Sequence, residues 1–371
     1  MAFDPAAEDY QRLGLTFAKT LPTGDISQAA QTSKRIEEFR TQYRENPDSL
    51  AQTDQDRAFH LTAKAAILVD YMLPFEEDEI ASSIITKATT LLSEAIELDP
   101  ACHDAHRMLA ASMYASFNGY YEYLRDEADK VKADCEKARD AAQGTTPLDI
   151  QLARDIAMRP YLRWLFTLAS RALICGKYRV AAKTCEKLLE LDPQDTSGAR
   201  FTAALSYAKL EDTDGLTALA RATKQLRRRN KEDAWMLLAR LSAAFKAGDE
   251  AACNAYFNRL VRYYPHAAEI LHNQNELPDG VFGRILLVDF SEDELVIATS
   301  EATVLLEEGY DNENHGPLGN WLQAKTEQLV SEQDAAAGDA GSTDADNDDN
   351  TDADNPDSPS GGAGADDESQ K

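Results

Sequence analysis

Glycine and proline recur in this chain at a matched interval. Gly176 precedes Pro193 by the same number of residues as Gly248 precedes Pro265. Within Arg159 to Pro193, Leu162, Leu165, Phe166, Ala169, Ala172 and Leu173 share one helical stripe, and Ala181, Cys185, Leu188 and Leu189 share another. Gly176 is suited to end the first helix, because glycine accepts the left-handed conformation that follows a helix C-terminus. Pro193 marks where the second helix must stop. The spacing therefore predicts two antiparallel helices with a tight turn. A pair this small cannot bury both stripes by itself, so it needs neighbours of the same kind.

The rest of the chain supplies them. ELDP closes an earlier helix at Glu97–Pro100 and recurs at Glu190–Pro193, and RYYP ends a further unit at Pro265. Helices are predicted over Ser27–Asn46, Asp54–Leu73 and Glu79–Leu98, with Pro74 ending the second. After Pro100 a helix carries Ala105, Leu109 and Met113. Its partner is unusually long, with Tyr121, Leu124, Ala128, Val131, Cys135 and Ala138 spaced by three and four until Ala142. Thr146-Pro147 opens another helix. The chain thus divides into a flexible segment over residues 1–26, helical repeats with a long inserted helix over 27–158, repeats and terminal helices over 159–329, and a tail over 330–371.

These residues resemble the tetratricopeptide repeat, a unit of about 34 residues with small residues at the helix crossing, a Gly-x-Tyr turn and a closing proline. One unit supplies Leu165, Leu168, Ala169 and Ala172, the turn Gly176-Lys177-Tyr178, then Ala181, Leu188 and Pro193. A second supplies Leu241, Ala244, Gly248, Cys253, Phe257 and Leu260. The unit ending at Pro100 keeps Ala88, Leu92 and Ala95 but lengthens its turn over Pro74–Asp78. Between Pro193 and Asn230 the pattern weakens. From Arg159 to about Leu322, the runs RPYLR, LDPQDTSGAR, DFSEDELVIATSEATVLLEEG and GPLGNWL resemble bacterial repeat proteins of unassigned function, and a related arrangement occurs in the suppressor-of-tumorigenicity 7 family. Ser291 and Glu294 fit a capping box. The resemblance implies an all-α, irregular right-handed solenoid of tetratricopeptide type.

Charge narrows the partners. The formal net charge is −27, which disfavours nucleic acid and anionic membranes, since phosphate binding requires a basic surface. Twelve acidic residues against one lysine follow Glu332. From Ser331 onward the composition is Asp, Ala, Gly, Asn, Ser and Pro, which cannot bury enough surface to offset ordering entropy, so a disordered acidic tail is expected. DADNDDNTDAD lacks the glycine and closing glutamate of a calcium loop. The five cysteines form no CxxC pair, as expected of buried thiols in a reducing cytoplasm. MAFDPAAEDY has neither the basic nor the apolar region of a signal peptide, and no apolar run is long enough to span a membrane.

No HExxH, P-loop, dinucleotide-binding or GxSxG motif occurs, and no cofactor is expected. The only tight group of metal-ligand types is Cys102-His103-Asp104-Ala105-His106, which would need a fourth ligand from elsewhere to hold zinc for a metal-dependent hydrolase. Asp104 is equally suited to a helix start. Lys224, Arg227, Arg228 and Arg229 fit a helix C-terminus, or a site for the acidic tail. The reading that remains is a protein-binding scaffold or adaptor. In repeats of this type the first helix of each pair lines a groove that takes a protein or peptide. The groove residues would be Arg163, Phe166, Arg200, Tyr207, Trp235 and Phe245, aromatic and arginine side chains being the usual anchors of an interface. Phe166 and Ser170 stand where some relatives carry a carboxylate clamp, so that clamp is not expected. Partner identity and oligomeric state stay open.

Overall fold

The computed structural model describes residues 4–21, 29–226, 230–277, 287–310 and 315–341, the side chains of Phe75 and of 332–341 excepted. Every regular element among them is helical. The helices are α1 (Pro5–Ala18), α2 (Ala29–Glu45), α3 (Asp54–Ile67), α4 (Asp78–Leu98), α5 (His103–Met113), α6 (Phe117–Asp140), α7 (Pro147–Ile174), α8 (Tyr178–Leu191), α9 (Ala199–Lys209), α10 (Thr213–Ala222), α11 (Ala234–Lys246), α12 (Glu250–Tyr263), α13 (Ala267–Asn273), α14 (Glu292–Glu301), α15 (Thr303–Leu306) and α16 (Pro317–Gly341). None is long and apolar enough to cross a membrane.

From α3 to α14 each helix packs on the next in sequence. A second set of contacts joins alternate helices: α3 to α5, α5 to α7, α7 to α9 and α9 to α11. These four contacts make α3, α5, α7, α9 and α11 a continuous row. Small residues permit the close crossings: Ala105, Ala169, Ala172, Ala181, Ala203 and Ala239 are all fully buried. Trp164 and Trp235 are the largest fully buried side chains, and the Trp164 indole N–H donates to the Leu124 carbonyl of α6 at 2.7 Å.

The turns follow from backbone chemistry. Gly176 has φ +72, its N–H donates to the Leu173 carbonyl, and the Lys177 N–H reaches back to Ala172 at 2.8 Å. Gly248, at φ +70, repeats the arrangement with Phe245 and Ala244. Both are Schellman closures, which satisfy carbonyls the helix leaves orphaned. The α9–α10 turn has the same bonds, Glu211 to Ala208 and Asp212 to Tyr207, but Glu211 holds the left-handed position at φ 57. A glutamate there hides the turn from a search for glycine.

Three expectations change. The segment 1–26 was expected to be flexible, yet α1 is capped by Asp4, starts at Pro5, and buries Glu8, Asp9 and Leu13. Its inward side is largely charged, so apolar periodicity does not reveal it. The boundary at 158/159 falls inside α7, a single helix of 28 residues running through Pro160. Pro160 lacks the N–H that would reach the Ile156 carbonyl, and Arg12 of α1 donates to that carbonyl at 3.4 Å instead. The described chain divides into two units between Thr326 and Glu327. Helical backbone continues to Gly341, past the change in composition at Ser331, and the rest of the expected disordered tail, 342–371, lies outside the described residues.

The turn geometry gives opposite expectations for two substitutions. A Cβ at Gly248 meets nothing within 4 Å, so Gly248→Ala should lose only the left-handed backbone preference, about 1 kcal/mol. Glu211→Gly should gain up to about 1 kcal/mol. Urea unfolding of the two variants checks both signs.

Candidate functional site

The six expected groove residues do not share one open surface. Arg163 of α7 is enclosed between two carboxylates. Its Nε and Nη2 donate to Asp104 of α5 at 2.8 and 2.5 Å, and its Nη1 and Nη2 donate to Glu8 of α1 at 2.8 and 3.3 Å. Arg12 and Arg159 reach Glu8 at 2.8 and 3.4 Å, and Arg107 reaches Asp104 at 3.4 Å. Burial opposes the charge on both acids, but the Arg163 guanidinium and its arginine neighbours outweigh it and hold both carboxyls below their ordinary range. The same carboxylates hold Arg163 firmly protonated against its own burial.

Trp235 is 1% exposed, stacks on Phe201 at 3.9 Å and donates its indole N–H to Glu301 of α14 at 2.7 Å. Phe245 is half-buried and packs at 6.2 Å on Trp321, early in α16. Tyr207 is buried and bonds Glu186 of α8. Its ring lies so close to Gly215 that a Cβ there would meet ring carbons at 2.5 and 2.6 Å. Arg200 pairs with Asp195 at 2.7 Å and lies over the Phe201 ring. Phe166, half-buried, is one helical turn from Arg163 on the same side of α7.

Own-chain segments therefore lie over the row. Helix α1 packs on α3 and α7, α14 on α11, and α15 on α9. Two further lysines of the row are drawn to the second segment: Lys209 pairs with Glu308 at 3.0 Å and donates to the Val304 carbonyl at 3.1 Å, and Lys246 pairs with Glu308 at 2.7 Å. Glu294 departs from the expected capping box. Ser291 accepts from the Glu294 N–H, but the Glu294 carboxyl takes the Phe290 and Ala234 N–H groups and the Tyr264 hydroxyl. The covering residues Glu8, Asp9, Arg12, Glu301 and Glu308 were absent from the sequence-based set. Acids leave no apolar stripe, whether buried like Glu8 and Asp9 or exposed like Glu301 and Glu308, and only their long-range partners identify them.

Helix α1 is also latched to α3. His60, buried, meets Asp9 through Nδ1 at 2.8 Å and Asp48 through Nε2 at 2.7 Å. Lys64 pairs with Asp48, and the Tyr43 hydroxyl of α2 lies 3.4 Å from Asp9. Burial works against a charged imidazole, yet the Asp9 and Asp48 carboxylates outweigh it and raise the His60 pKa above its ordinary 6.5.

The 102–106 group is occupied internally. The Cys102 thiol lies 3.3 Å from the Thr62 hydroxyl, His103 meets Asp134 at 3.1 Å, and His106 bonds the Pro100 carbonyl at 3.0 Å. Burial raises the Cys102 pKa and lowers that of His103 despite Asp134. Cys102 and His103 do border a cleft of about 410 Å³ with Arg12, Phe59, Asp134 and Ile156. No group of three or more His, Cys, Asp or Glu side chains among the described residues is arranged to hold a metal. Lys224 begins a short 3-10 turn, and Arg227–Arg229 lie outside the described residues.

No protein-family model matches the chain, and no curated protein is a significant match to it. The repeat resemblance therefore rests on the residues that carry it.

Arg163→Ala should destabilise the chain by about 3 kcal/mol, since it strips the largest counter-charge from two buried carboxylates that retain weaker partners. Urea unfolding measures it. The His60 latch gives a pH dependence of known sign. A raised folded pKa stabilises fully below the unfolded value near 6.5, and the gain is lost as pH rises through the folded value. The stability difference between wild type and His60→Gln should be largest below about pH 6.5 and shrink as pH rises through the raised folded value.

Proposed function

We propose that this chain is a non-catalytic protein-binding scaffold, an irregular right-handed solenoid of tetratricopeptide type, whose row of first helices receives a protein or peptide partner. The observation that supports this is the ionic engagement of that row by two acidic segments of the same chain. Arg163, Arg159, Lys209 and Lys246 each meet a carboxylate that arrives from outside the helix pairs. A surface that recognises helices in cis has the chemistry to recognise one in trans: charged groups for register and orientation, and apolar and aromatic surface beside them. The net charge of −27 argues against polyanions as that partner. Free thiols at all five cysteines suit a reducing compartment such as the cytoplasm.

Site-specific photo-cross-linking tests the proposal. A photoreactive phenylalanine analogue at Phe166, on the Arg163 side of α7, should give several-fold more protein adducts in cells than the same analogue at the exposed Lys183 of α8. Equal yields at the two positions, or none at Phe166, would remove the assignment of the partner face.

A further inference from the structure

Building on the scaffold reading, we propose that α1 is a displaceable occupant of the row, and that the external partner is an amphipathic helix carrying adjacent carboxylates in the manner of Glu8-Asp9.

The seat that α1 fills has a specific polar inventory, and α1 answers it in one short run. Glu8 takes Arg163 and Arg159, Asp9 takes His60, Gln11 accepts from Arg159 at 2.8 Å, and Arg12 covers the Ile156 carbonyl. Arg12 also lies 3.9 Å over the Phe59 ring. The pattern is Glu-Asp-x-Gln-Arg, read by two helices of the row, α3 and α7. It names a partner by charge and spacing: two successive acids, then an amide and a cation about one turn later.

The seat also survives without α1. Asp104 alone gives Arg163 two hydrogen bonds, and Arg107 lies beside it. His60 keeps Asp48, which Lys64 also holds. Removal of α1 therefore strands no buried charge in the seat, and it takes the Glu8 carboxylate from both Arg159 and Arg163. The vacated place between Arg159 and Arg163 selects a carboxylate on the incoming helix, despite the acidity of the chain as a whole.

The contacts of α1 are divided by kind. Its aromatic contacts go to α2: Tyr10 to Phe39 and Tyr43 at 5.5 and 4.9 Å, and Phe17 to Phe39 at 4.6 Å. Toward α3 and α7 its side-chain bonds are ionic or polar. An incoming helix of the same pattern remakes those bonds as they break. Exchange of like for like needs no net loss of charge pairing.

The test uses the full chain and a labelled peptide of residues 4–21. Glu8→Gln/Asp9→Asn in the chain weakens the cis occupant while the seat stays native. Fluorescence anisotropy should show the peptide binding this variant at least tenfold more tightly than wild type, because the intramolecular competitor is weakened. Binding should weaken as salt rises, and a peptide with Glu8→Lys and Asp9→Lys should not bind. A variant that keeps its helical circular dichroism but fails to bind the peptide overturns the proposal. Glu8→Gln alone is the milder variant if the double one unfolds. Hydrogen exchange on wild type gives an independent reading: α1 amides should exchange through an opening that leaves α9 and α11 protected. Exchange of α1 only with global unfolding overturns displacement. Loss of peptide binding leaves the scaffold reading intact, whereas missing cross-links at Phe166 defeat that reading whatever the peptide does.

Discussion

The bidentate pairing of Arg163 with Glu8 and Asp104 ties together three parts of the chain that are far apart in sequence. Taking these charges out of water is expensive, and a buried ion cluster adds little net stability against a well-packed apolar alternative. What it supplies is selectivity. A planar guanidinium with donors on two edges accepts carboxylates in a fixed geometry. Only one rotation of α1 about its axis puts Glu8 onto Arg163 and Asp9 onto His60 together. The register of α1 on the row is therefore set by charge.

That dependence extends to α7. A proline inside a long helix removes one backbone bond and leaves a carbonyl exposed to a buried setting. In α7 the carbonyl is that of Ile156, and the donor that reaches it comes from Arg12. The same arginine pairs with Glu8. The continuity of α7 through Pro160 and the seating of α1 are thus coupled: the helix that reads Arg163 also supplies the hydrogen bond that Pro160 withholds. The Arg159-Pro160 dipeptide looks like the start of a helix in the sequence, because proline favours first-turn positions. It stands inside one here because Thr146 and Asp149 close a capping box upstream, and the helix they start is carried through the break.

Legibility in the sequence followed the type of signal. Gly176 and Gly248 announced their turns because a left-handed residue after a helix is most cheaply a glycine. The stripes of α8 and α12 were readable because Ala181, Cys185, Leu188, Cys253, Phe257 and Leu260 are apolar and buried. The α9–α10 turn was obscured by Glu211, which occupies the same conformation with the wrong side chain. The candidate site was the least legible part. Arg163 was identified as a groove residue, and it does lie on the row, but nothing near it in sequence reveals Glu8. Trp235 fits the composition of an interface anchor, yet Phe201 and Glu301 cover it from within the chain. Burial by a distant segment leaves no periodic trace at the residue that is buried.

The two covering segments differ in a way that bears on which can leave. Glu8 is held by guanidinium groups, and its carboxyl is driven below the ordinary range. Glu294, in the second segment, is held by the Tyr264 hydroxyl and by the Ala234 and Phe290 N–H groups, and burial drives its carboxyl above that range. The Ala234 N–H opens α11 and depends on Glu294 for its bond, so withdrawal of α14 would leave that buried donor without it. Departure of α1 would likewise take the Arg12 donor from the Ile156 carbonyl, although Arg163 keeps Asp104. The acid of the C-terminal cover is thus held by neutral donors, and that of the N-terminal cover by guanidinium groups.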